Sequence, residues 1–121
     1  MRPAIQFSVA AIAVLVAAPA LAADKLAGYP TSLRVEYVLE CMQDREGSRY
    51  ELMHKCSCVL DRLAARRSAD DFVADWTAAK AVTIAGERGG ALRDNAGVQA
   101  EAHAFVDAVA VAESACFLRA R

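Results

Sequence analysis

Four cysteines, Cys41, Cys56, Cys58 and Cys116, are the residues of this chain best able to do chemistry. Three of them fall near other donors. His54-Lys55-Cys56-Ser57-Cys58 sets an imidazole beside two thiols, with Met42 and Met53 close in sequence. Soft ligands of this kind suit copper(I) or zinc. Structural zinc sites, however, commonly space paired cysteines by two residues, and one separates these. The same spacing differs from that of thioredoxin-like redox pairs, and no histidine follows to complete a haem-attachment motif. An even cysteine count is met most simply by two disulfides, with a metal carrier as the alternative.

Other chemistry is thinner. His54 and His103 are the two histidines, and no serine–histidine–acid set is recognisable around them. Asp70, Asp71, Asp75 and Glu87 lack the regular oxygen-ligand spacing of a calcium loop. Gly86-Glu87-Arg88-Gly89-Gly90 lacks the lysine and hydroxyl residue of a phosphate loop, and reads as a flexible connection or partner-binding loop. Lys55, Arg62 and Arg66 share a helical face, a basic stripe that could meet an acidic protein. No cofactor and no catalytic residue is expected. The chain reads as a binding protein, with a small enzyme as a further alternative.

The elements that position these residues begin with a leader. Met1-Arg2 is followed by an apolar run from Phe7 to Ala22, ending in Ala20-Leu21-Ala22. This is the pattern of a secretory signal over residues 1–22, leaving Ala23 as the new N-terminus; cleavage after Ala23 fits nearly as well. Residues 23–121 then make a single exported domain in a disulfide-permissive compartment. Removing Arg2 leaves 13 of the 14 basic residues against 15 acidic ones, a net charge of −2. That balance does not favour nucleic acid. Beyond the leader no apolar stretch is long enough to span a bilayer.

Periodicity predicts about four helices and no strand. The first runs from Leu33 to about Arg45, with Thr31 or Ser32 as cap and a stripe of Val35, Val38, Leu39 and Met42. The second runs from Arg49 to Arg67 behind a Ser48/Glu51 capping box, with Leu52, Cys56, Val59, Leu60 and Leu63 inward. The third runs from Ala69 to Ala85 behind Ser68 and Asp71, with Phe72 and Trp76 in the core. The fourth starts near Gly97 or Val98 and reaches Leu118, on a stripe of Val98, Ala102, Phe105, Val109 and Cys116. The fold class is therefore all-α, a small bundle tied by two disulfides.

Cys56 and Cys58 diverge by about 200° on a helix, so each should reach a different element. Stripe positions favour Cys56–Cys116 and Cys41–Cys58. Proximity across the first hairpin pulls toward Cys41–Cys56 instead.

Tyr37-Val38-Leu39-Glu40-Cys41-Met42, Tyr50-Glu51, Lys55-Cys56-Ser57-Cys58, Gly86-Glu87-Arg88 and Arg93-Asp94 together resemble small exported four-cysteine proteins of Gram-negative bacteria. The resemblance covers most of residues 37–117. Some of that group occur beside quinone-cofactor alcohol dehydrogenases and their c-type cytochromes, so the resemblance implies a periplasmic accessory role, for a dehydrogenase or an electron-transfer system. No established catalytic residue comes with it. The expectation is a periplasmic protein-binding module whose contacts include Lys55, Arg62, Arg66, Glu87 and Arg88.

Overall fold

A computed structural model describes Leu26 and residues 28–119. The expected leader and its cleavage site lie outside the described residues. The described chain forms five helices and no strand: α1 (Thr31–Met42), α2 (Arg49–Ala64), α3 (Ala69–Ala81), α4 (Glu87–Arg93) and α5 (Ala96–Ala115). The all-α expectation holds, with one helix more than expected.

Each boundary has a local cause. α1 begins at Thr31, two residues early, because the Pro30 carbonyl already accepts the Arg34 N–H. It stops at Met42, before Arg45. Gln43 is extended and Asp44 is left-handed, so the chain turns there. Arg45 reaches back instead, and its Nε donates to the Cys41 carbonyl at 2.7 Å. That satisfies one of the carbonyls a helix end leaves open.

The Ser48 capping box does not form. The Ser48 side chain makes no cap hydrogen bond, while Glu51 pairs with Lys55 at 2.5 Å along the helix. Ser68 does cap α3: its Oγ accepts the Asp71 N–H at 3.1 Å and donates to the Asp71 carboxylate at 2.7 Å. α2 and α3 both end three to four residues sooner than periodicity suggests, at Ala64 and Ala81. After α3, the Thr83 hydroxyl donates to the Lys80 carbonyl, a local bond that competes with helix continuation.

The glycine-rich segment is a correction. It is largely helical, as α4, rather than a flexible loop. Gly86 enters it at φ +84°, and Arg93 donates from its two terminal nitrogens to the Ile84 and Gly86 carbonyls. Gly89 is buried against the Ile84 carbonyl, where a Cβ would strike backbone. α5 starts at Ala96, just before the expected Gly97 or Val98, because Asn95 caps it: its Oδ1 accepts from Gly97 at 2.9 Å and Val98 at 3.1 Å.

Phe72, fully buried, is the centre of the core. Tyr29, Tyr37 and Phe105 meet its ring edge-on at 5.4–5.6 Å between centroids, and Trp76 lies tilted at 5.6 Å. Such geometry suits the aromatic quadrupole. The expected inward stripes of α2 and α5 are the observed ones. The stripe of α1 is not: Tyr37, Cys41 and Met42 are buried, while Val35 and Leu39 face outward.

The disulfides are Cys41–Cys56 and Cys58–Cys116, each with Cα atoms 5.9 Å apart. Two interhelical bridges were expected, but the stripe-based pairing is overturned. Cys41 was placed off the buried face of α1 and in fact lies on it, opposite the fully buried Cys56. Proximity across the hairpin therefore decides. The Tyr29 hydroxyl also donates to the Arg67 and Ser68 carbonyls beyond the end of α2. This tie and the Cys41–Cys56 bond fix α1 and α2 antiparallel.

Candidate interaction site

Lys55, Arg62 and Arg66 project from α2, but the fold divides them. Lys55 sits at the mouth of a cleft formed by the 44–48 turn and the 117–119 segment. Its ammonium is held by Glu51. The hydrogen bond from Lys55, reinforced by its charge, keeps the Glu51 carboxyl below its ordinary value.

Arg62 and Arg66, one turn apart, line a different cleft of about 620 Å³ between α2 and α5. Asp107, Val111 and Ala115 form the α5 wall, and the Cys58–Cys116 bridge pins the two walls together. Glu87 and Arg88 are exposed on the first turn of α4, which contributes no residue to this cleft. The five expected contact residues thus do not form one surface.

Asp61, Arg67 and Asp107 line the cleft as well, and several of the molecule's basic groups are already paired. Arg67 is tied to Asp75 at 2.9 Å, Lys80 to Glu40 at 2.5 Å, and Arg45 to Glu113 in a nearly buried pair. Lys80 also lies 3.7 Å over the Trp76 ring. Arg62 and Arg66 are exposed and make no ion pair among the described residues. Opposite them, Val111 is 71% exposed. An apolar side chain beside two uncommitted guanidinium groups can take both parts of an acidic amphipathic surface.

The metal-carrier alternative finds its thiols engaged, because all four cysteines are in disulfides. Among the described residues no three histidine, cysteine or carboxylate side chains are grouped to hold a metal ion. His54 stacks edge-on with Tyr50 at 4.5 Å, and His103 is exposed on α5. Asp71 and Asp75 serve Ser68 and Arg67. Burial, above all, raises the Tyr29 phenol above its ordinary 10.0, opposed by Arg67 and reinforced by Asp71.

One surface was missed by sequence reasoning. A groove of about 740 Å³ runs between α1 and α2 on the side away from α5. Val35, Leu39, Tyr50 and Met53 line it and remain exposed, Tyr50 by 71% and Leu39 by 54%. The signal was present in Val35 and Leu39, whose spacing marks an apolar face; that face was assigned to the core.

Among the described residues no helix is long and apolar enough to cross a membrane. Comparison with protein-family models, curated proteins and solved structures gives no match to this chain.

Proposed function

We propose that this chain is a periplasmic accessory protein that binds an acidic protein partner through the Arg62/Arg66 cleft. The observation that carries the reading is the pair of unpaired guanidinium groups one turn apart, facing exposed Val111 across a disulfide-pinned cleft. The bridge holds the two walls before any partner arrives, so little ordering is left to oppose association. Arginine fits carboxylates in two-point geometry and is enriched at interface hot spots. The two disulfides accord with an oxidising compartment. With the resemblance to exported four-cysteine proteins, this points to a periplasmic dehydrogenase or its electron-transfer partner as the acidic surface.

The test is capture from periplasmic extract by immobilised mature protein, with the Arg62→Glu/Arg66→Glu variant alongside. The variant should retain the wild-type circular-dichroism spectrum and bind its partner about tenfold or more weakly. The deficit should shrink as salt is raised. Equal capture by both proteins refutes the assignment.

A further inference from the structure

A cavity of about 490 Å³ opens between α1, α3 and α5, and it shares no residue with the Arg62/Arg66 cleft. Tyr37, Trp76 and Phe105 supply an aromatic floor, and Val106, Val109 and Ala110 form the α5 wall.

Two ion pairs stand at its rim, and they are not alike. Arg45 and Glu113 are nearly buried, and Arg45 also donates to the Cys41 and Arg119 carbonyls. That pair is committed to holding α5. The other pair joins exposed Lys80 on α3 to half-buried Glu40 on α1. The Lys80 ammonium sits 3.7 Å over the Trp76 ring and 2.5 Å from the Glu40 carboxylate. An indole face and a carboxylate converging on one ammonium are the two elements that recognise an organic cation.

Lys80 holds that place loosely. An ion pair that water reaches is weak, and the four-carbon stem lets the ammonium swing into solvent. With Lys80 in place the lining carries two acids and two bases; with its ammonium in solvent the acids are in excess. A cation from outside restores the balance. The cavity is also far larger than an ammonium needs, within the range of small-molecule sites. Its remaining walls are apolar, so they favour a ligand with an apolar body.

We infer that this cavity binds a primary organic ammonium with an apolar body. The charged end takes the place of the Lys80 ammonium between Trp76 and Glu40. The body lies along Val106, Val109 and Ala110. Lys80 is then a tethered competitor that covers the site until such a ligand displaces it.

Titration of the mature protein with phenethylammonium tests the inference, followed by the fluorescence of Trp76, the chain's single tryptophan. The response should saturate, with half-saturation at about 1 mM, as suits so small a ligand. Phenethyl alcohol has the same shape without the charge, and hydrocinnamate carries the opposite charge. Each should bind at least about tenfold more weakly. Lys80→Ala gives the sharpest readout: loss of the competitor should tighten binding of the ammonium about tenfold. Lys80→Gln, which shortens the stem and drops the charge, should shift it in the same direction. Adding Glu40→Gln to Lys80→Ala should weaken binding again by about tenfold. Ala110→Phe fills the apolar end from an exposed position and should abolish binding while leaving the helical spectrum intact. The absence of a saturable response below about 10 mM overturns the inference. So does equal binding of the alcohol, or an affinity that Lys80→Ala and Lys80→Gln leave unchanged or weaken. Tight binding of hydrocinnamate that is lost in Lys80→Ala would make Lys80 the anchor of an anion site and equally overturn it.

Discussion

Removing the Cys58–Cys116 bridge as Cys58→Ala/Cys116→Ala should destabilise the domain by about 4 kcal/mol. The bridge joins residues 58 positions apart, whereas Cys41–Cys56 spans 15. Loop-closure entropy gives about 4 kcal/mol for the longer loop and about 3 kcal/mol for the shorter. Cys58 is half-buried and Cys116 buried, so loss of the Cys116 sulfur adds a smaller packing cost to the first figure. The native geometry at this end of α5 has a second anchor. Arg45 donates to Glu113 and to the Arg119 carbonyl, so α5 should stay docked without the bridge. The loss should therefore arise mainly in the unfolded chain. Urea titration under non-reducing conditions, followed by circular dichroism and Trp76 fluorescence, would show it as a lower midpoint. The slope should rise as well, because the unbridged chain exposes more surface on unfolding. A loss below about 1.5 kcal/mol, or an unchanged slope, would refute the loop-entropy reasoning. Small domains hold only about 5–15 kcal/mol in total, so the effect is large enough to measure.

Further expected outcomes follow from the core and the caps. Phe72→Ala empties the middle of the aromatic cluster and should cost about 3–5 kcal/mol in the same titration. Ser68→Ala should cost about 1 kcal/mol, whereas Ser48→Ala, which removes no cap bond, should stay within about 0.5 kcal/mol. Arg45→Met leaves Glu113 nearly buried without its partner and should cost about 3 kcal/mol, read as a lower thermal midpoint. Tyr29 has a raised phenol, so its contribution is complete below pH 10.0 and falls away as pH climbs through the folded value. Tyr29→Phe should therefore flatten the alkaline limb of a stability–pH curve; an identical limb in wild type and variant would contradict this.

Much of the architecture was legible because the deciding interactions are local. Ser68 and Asp71 are three residues apart, and the α2 stripe repeats without interruption from Leu52 to Leu63. The failures share a different cause. Ser48 and Glu51 have the right spacing for a cap, but Glu51 is equally well placed for Lys55, and the ion pair prevails. That pair also takes Lys55 out of the basic stripe. Consecutive glycines disguised α4, whose stability depends on Arg93 closing back over carbonyls 84 and 86. The Arg62/Arg66 pair was legible as a charge pattern, but the exposed Val111 opposite it belongs to another helix.

The misreading of α1 is the most instructive, because its apolar pattern is real. Two faces of that helix satisfy the 3.6-residue period: Leu33, Tyr37 and Cys41 on one, Val35, Leu39 and Met42 on the other. Aliphatic content favours the second. The fold buries the first and, of the second, only Met42 fully, because only the first face brings Tyr37 onto Phe72 and Trp76 and sets Cys41 against Cys56. An aromatic cluster drawn from four segments outweighs the burial of two aliphatic side chains, each worth about 1.5–3 kcal/mol. Val35 and Leu39 are then left with the full spacing of a core face and no core within the chain to fill it. Tyr50 and Met53 extend the same unburied surface along α2. Val35 and Leu39 are misplaced by periodicity because contacts to Phe72, Trp76 and Cys56, made by other segments, set the rotation of α1 about its axis.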